Sequence, residues 1–178
     1  KDGNVYRQEY EKLTAAIEKF FWDEEKGAYI DSFTSGKRNV TRHANIFAIL
    51  FDIADKQKQE KILTNVLEND EIPAITTPYF NFFELDVLCQ MGKLTEVLDK
   101  IRSYWGGMLD LGAVTFWEEY DPSVPKEEQY DMYGDHFGKS LCHAWAASPI
   151  YFLAKYFAGL DLVNKDGVTY VLKPQMQY

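Results

Sequence analysis

Two short stretches concentrate the residue types that handle polar ring compounds. Residues 112–121 read Gly-Ala-Val-Thr-Phe-Trp-Glu-Glu-Tyr-Asp and set acidic groups beside large aromatic faces. Aromatic rings stack on the C–H faces of a pyranose while carboxylates accept its hydroxyls, so this composition points to a carbohydrate site. Glycoside hydrolysis needs two carboxyl groups, one as acid and one as base or nucleophile, and their separation sets the stereochemical outcome. Adjacent Glu118 and Glu119 are not such a pair. In an extended segment they point to opposite faces, one toward a cleft and one toward solvent. The same residues read equally well as a solvated acidic turn beside a core tryptophan. The second stretch, Ser140-Leu141-Cys142-His143-Ala144-Trp145, offers an imidazole that can donate to a hydroxyl or a carboxylate. A single histidine is more often a hydrogen-bonded structural residue.

Other candidates carry less. His43 sits beside Arg42 and Asn45 near a helix start, and His136 lies in a polar loop where exposure is the default. Tyr79, Phe80, Phe82 and Phe83 have the composition of a sugar platform, although aromatics at helical spacing are more often core. Asp31 follows Tyr29 in a short excursion, and Asn39-Val40-Thr41 matches the glycosylation acceptor triplet, which is common by chance. No metal-ligand spacing is present, and no cofactor signature.

These groups need a scaffold, and its pattern is helical. Apolar residues at Tyr6, Tyr10, Leu13, Ile17, Phe20 and Phe21 predict a helix from Tyr6 to Trp22. Residues 23–27 turn, and Ala28 to Phe33 reads as an extended loop. Thr41 caps a segment running to Ala54. A polar break at residues 55–58 leads to Ile62, Leu63, Val66 and Leu67, completing a helical hairpin. A second hairpin follows a proline-containing connector, with helices at Tyr79 to Met91 and Leu94 to Trp105 separated by Gly92. In each pair one helix is apolar around most of its circumference and the other amphipathic, which suggests two concentric layers. Residues 121–135 form a long polar loop. Lys139 to Phe157 predicts a last helical region in which Pro149 either kinks the helix or opens it behind a Ser148 cap. Gly167 to Leu172 alternates and reads as a strand.

With 46% hydrophobic residues in 178, the chain buries a sizeable core as one domain or part of a larger one. Its 28 acidic against 19 basic residues give a net charge of −9, which argues against nucleic acid and anionic membrane partners. No apolar run reaches the roughly 20 residues of a membrane span, and no basic-then-apolar leader pattern opens the sequence, so the chain reads as soluble. Cys89 and Cys142, both in apolar stretches read as helical, are expected to be buried thiols.

Three ordered blocks carry a resemblance: Tyr104-Trp105-Gly106-Gly107-Met108-Leu109, Gly112 through Glu118, and Ser140 through Trp145 with Pro149-Ile150-Tyr151-Phe152-Leu153. Together they resemble the C-terminal part of the catalytic domain of α-L-rhamnosidases, glycoside hydrolase family 78. The likeness extends loosely through Gly27 to Asp31 and the hairpin after His43.

The resemblance implies an all-α fold in which helical hairpins form roughly half of an (α/α)6 toroid over residues 1–160. Residues 161–178 would begin a C-terminal β-sandwich as a short β-strand segment. It implies inverting hydrolysis of terminal α-L-rhamnosides, with Glu118 matching the family's general base, His143 its sugar-contacting histidine, and Trp117 and Trp145 shaping the pocket. The implied partner is a rhamnose-containing oligosaccharide or glycoside. The family's general acid lies in an acidic, tryptophan-containing motif of the earlier half of the ring, which has no counterpart in this sequence. The chain is therefore expected to be inactive alone, and to need the missing N-terminal half of the toroid or self-association to cover its inner faces. A non-catalytic carbohydrate-binding module and a helical interaction domain are the alternatives.

Overall fold

Helix α1 (Asp2–Phe21) is long because nothing in it breaks a helix: there is no proline, and its one glycine stands at the second position. It starts earlier than the apolar stripe predicts and stops one residue sooner. Trp22 leaves the helix to begin β1 (Trp22–Asp23), which pairs antiparallel with β2 (Ala28–Tyr29), Trp22 opposite Tyr29. The turn between them is held by Asp23. Its carboxylate accepts the N–H groups of Glu25 and Lys26 at 3.1 Å and the Arg38 Nε at 2.9 Å. The structure, a computed structural model, describes residues 2–163 and 169–175. The chain packs as two units, residues 1–74 and 75–178.

In the first unit the excursion expected over Ala28 to Phe33 is extended only through Ile30, which bridges to Val40, and residues 31–37 bend between them. Helix α2 (Arg42–Leu50) follows Thr41, whose backbone is extended but whose side chain makes no capping bond. Asn45, fully buried, does the fastening instead. It accepts from the Tyr29 N–H at 2.8 Å and donates to the carbonyls of Tyr29 and Thr41, both at 2.9 Å. The residues expected to form a polar break open α3 (Lys56–Ile62): Asp55 accepts from the Lys58 N–H at 2.9 Å, a side-chain N-cap that starts the helix where polarity alone suggests a turn. A widened π-helical turn at Leu63–Leu67 extends α3. Buried Arg42 closes the hairpin, donating to the carbonyls of Leu67 at 2.8 Å and Asn69 at 3.3 Å.

In the second unit α4 (Pro78–Gln90) begins with proline in its first turn, where the missing N–H costs nothing. It buries residues around most of its circumference, including Asn81, Glu84, Leu85 and Leu88. Gly92 takes a left-handed φ of +75° and turns the chain into α5 (Leu94–Lys100). Lys100 pairs with the buried Glu84 carboxylate, joining the two helices. The helix expected to end at Trp105 continues, through a π-helical turn at Ile101–Trp105, into α6 (Gly106–Asp110). Gly106 and Gly107 do not stop it because Gly106 keeps right-handed angles and Gly107 lets the Tyr120 phenol pack where a Cβ would stand.

The last helical region is shorter than expected. Residues 139–143 are not helical, because their backbone groups are engaged across the loop, Lys139 with Tyr130 and residues 140–143 with residues 115–118. A 3₁₀ turn at Ala144–Ala146 precedes α7 (Ser148–Phe152), which is prolonged by a π-helical turn at Leu153–Phe157. Pro149 lies in the first turn of α7 and causes no kink, and Ser148 is its first helical residue rather than its cap. Strand β3 (Leu160–Leu162) pairs antiparallel with β4 (Tyr170–Leu172). Gly167 and Val168 of the predicted strand lie outside the described residues. Cys89 is buried in α4 as expected, its thiol pushed up to about 12 by desolvation, whereas Cys142, expected to be buried in a helix, is exposed in a non-helical segment. Among the described residues, no helix is long and apolar enough to cross a membrane.

Candidate functional site

The site is built by backbone rungs between two segments that flank the long polar loop. The His143 N–H donates to the Phe116 carbonyl at 2.8 Å, and the Glu118 N–H to the Ser140 carbonyl at 2.9 Å. The Thr115 hydroxyl adds a bond to the Leu141 carbonyl. This pairing holds residues 116–118 beside residues 140–143 without making either a strand, and Glu118 and Glu119 reach different partners. Glu118 is buried: its Oε2 accepts the Ser140 N–H at 3.1 Å and its Oε1 the Tyr133 hydroxyl at 3.0 Å. Glu119 turns elsewhere, accepting from the Thr76 hydroxyl at 2.9 Å and facing the Lys139 ammonium at 3.9 Å. Lys139 is itself buried. Desolvation pulls its pKa below the usual lysine value, and the Glu119 carboxylate opposes that shift.

The imidazole Nδ1 of His143 lies 3.9 Å from Glu118 Oε2, within electrostatic reach but too long for a hydrogen bond. The imidazole also overlies the Trp145 indole, with ring centroids 4.0 Å apart. Trp145, 43% exposed, leans on Tyr79 at 5.4 Å. Together with Phe82, Phe83, Ala147 and Ser148 these two rings line a hollow of about 320 Å³, within the size range of small-ligand sites. The Ser148 hydroxyl is buried in its wall and has no hydrogen-bond partner among the described residues. Glu118, His143 and Trp145 thus form one chain of contacts. Trp117 is buried and packs edge-on against Tyr130 at 5.5 Å, and of the four predicted site residues only Trp145 lines the hollow, Glu118, His143 and Trp117 standing outside its lining.

Of the remaining sequence candidates, the other histidines and Asp31 fall outside this constellation. His43 is exposed on α2, and His136 is exposed in the loop with Asp131 at 2.7 Å. Asp31 borders an apolar hollow of about 470 Å³ between α1 and α2 in the first unit. Tyr79, Phe82 and Phe83 do line the aromatic hollow. Tyr133, Lys139 and Ser148 escaped the sequence reading, since a loop tyrosine, a loop lysine and a serine before proline carry no distinguishing local signal. Among the described residues, no group of three or more His, Cys, Asp and Glu is gathered to hold a metal.

Comparison with known proteins places the helical fold in a family. The family described as bacterial alpha-L-rhamnosidase 6 hairpin glycosidase domain matches residues 1–157. The structure is similar to that of a rhamnosidase from Klebsiella oxytoca with rhamnose bound, with a TM-score of 0.75 and 32% identity over 85% of this chain and 28% of the other. It is similar also to the family 78 rhamnosidase of Bacillus sp. GL1, with a TM-score of 0.75 and 29% identity over 92% of this chain and 17% of the other. This chain therefore spans well under two thirds of either enzyme. No match was found among curated protein sequences. The match over most of its length, in a chain of helical hairpins with only short strands, shows that it belongs to the bacterial α-L-rhamnosidase six-hairpin glycosidase domain family.

Proposed function

We propose that this chain contributes the general-base side of a site that removes terminal α-L-rhamnose from a glycoside by inverting hydrolysis. The observation that carries the reading is the contact chain from the buried Glu118 carboxylate through the His143 imidazole to the half-exposed Trp145 indole. In this mechanism the Glu118 carboxylate takes a proton from a water molecule, whose oxygen attacks the anomeric carbon opposite the departing glycosidic oxygen. His143 contacts the sugar hydroxyls, Trp145 offers its face to the ring, and Trp117 supports the segment that carries Glu118. The unsatisfied Ser148 hydroxyl adds a hydrogen-bonding group to the wall of the hollow.

Glu119 does not serve as the acid in this scheme, because its carboxylate is engaged by Thr76 and Lys139. The acid comes from a part of the toroid beyond this stretch of sequence, a reading supported by the 28% and 17% shares of its structural relatives that the chain spans. Residues 1–160 belong to the helical toroid in this reading, and residues 161–178 begin the segment that follows it.

Hydrolysis of an aryl α-L-rhamnoside tests the proposal, measured with this domain joined to the preceding half of a family 78 catalytic domain. Glu118→Gln is expected to lower kcat by about 10²- to 10⁴-fold with the fold intact. Retention of full activity would remove Glu118 from the mechanism. The aromatic hollow lined by Tyr79 and Trp145 also supports a second reading, a rhamnose-binding module without turnover. Saturable rhamnose binding with no hydrolysis in the joined protein would select it.

A further inference from the structure

Met132, Tyr133, Gly134 and Asp135 close a two-residue hairpin turn within the polar loop, Met132 and Asp135 exchanging both backbone hydrogen bonds at 3.0 Å. The two central residues have left-handed φ angles, +56° for Tyr133 and +85° for Gly134, the mark of a type I′ turn. That turn favours Asn, Asp or Gly at its first central position, because other side chains crowd the following carbonyl there. Tyrosine is a poor residue for the place, and burial of the ring does not compensate: Tyr133 is 79% exposed. What the conformation achieves is the hydrogen bond from the Tyr133 hydroxyl to Glu118 Oε1 at 3.0 Å. Backbone strain of this kind persists where the surrounding structure or a function requires it.

We propose that Tyr133 is a positioning residue that holds the Glu118 side chain in a single rotamer, and that the strained turn exists to present it. The inference rests on the assignment of Glu118 as the base and deepens it. Main chain holds Oε2 through the Ser140 N–H. A donor on Oε1 pins the far end of the side chain at a second point, so that its Cα–Cβ and Cβ–Cγ torsions settle in one rotamer and the carboxylate is aimed in one direction. The contact is reciprocal, since the bond to Glu118 raises the Tyr133 phenol above the ordinary tyrosine pKa.

The test uses the 178-residue chain with side-chain-labelled glutamate, the Glu118 signals being assigned through Glu118→Gln. Three-bond couplings of the Glu118 side chain are expected to report one rotamer in the unaltered chain and an average in Tyr133→Phe, with the remaining amide spectrum superimposable. Tyr133→Asn suits a left-handed φ and is expected to raise Tm by about 2–4 °C while releasing Glu118 in the same way. A tyrosine with a purely structural role would not give that combination. Unchanged Glu118 couplings in both variants, or a lower Tm in Tyr133→Asn, overturn the proposal. Intact hydrolysis in Glu118→Gln defeats the base assignment instead, and does so without altering what the couplings say about the Tyr133 contact.

Discussion

Glu118 and His143 stand 3.9 Å apart, carboxylate oxygen to imidazole nitrogen, with the whole polar loop between them in sequence. The rungs from Phe116 to His143 and from Glu118 to Ser140 set this distance, so removing the imidazole leaves the backbone arrangement in place. His143→Ala is expected to weaken L-rhamnose binding about tenfold, or ~1.4 kcal/mol, with Tm nearly unchanged. Isothermal titration checks the first and thermal denaturation the second.

Trp105 reaches across the second unit to hold the turn that carries Trp145. Its indole N–H donates to the Ala146 carbonyl at 2.8 Å, and both groups are buried. In Trp105→Phe that carbonyl loses its donor, which costs about 1–3 kcal/mol. The urea midpoint is expected to fall, and rhamnose affinity with it, because the 3₁₀ turn at Ala144–Ala146 loses its anchor.

Arg42 provides the corresponding test in the first unit. A buried guanidinium whose separate nitrogens serve the Leu67 and Asn69 carbonyls has a forked geometry that an ammonium cannot copy. Arg42→Lys is expected to lower stability by about 2–3 kcal/mol, read from chemical denaturation.

Asp23 gives the acid limb of the stability profile a defined shape. The Lys26 N–H first, and the Arg38 guanidinium with it, hold its carboxyl below the ordinary value of 3.8. A carboxyl with a lower pKa in the folded than in the unfolded chain contributes stability in full above 3.8. That contribution is lost as pH falls through the depressed value. Asp23→Asn is expected to lower Tm at neutral pH and to flatten its decline below about pH 4, as followed by thermal melts across the acid range.

The helices were legible because apolar spacing is a strong local signal. The stripe on α1, the apolar α4 and the stop at Gly92 were all readable from residue type. What escaped was decided by partners distant in sequence. Asp55 starts α3 inside an apparent turn through one side-chain bond to the Lys58 N–H. Residues 140–143 look helical until residues 115–118 take their backbone groups, and Cys142 is exposed for the same reason. Of the residues proposed for the site, Glu118 and the His143–Trp145 block were marked by aromatic and acidic composition. Tyr133 was not, since only a three-dimensional turn brings that hydroxyl to Glu118.

The joint between residues 116–118 and 140–143 is made of peptide groups, and peptide groups are the same whatever side chains they bear. Apart from the tip at Tyr133, drift or changes of length in the stretch between these segments leave the imidazole and the carboxylate in register. Substitutions on the exposed surface of that loop are therefore tolerated without disturbing the spacing of the two side chains.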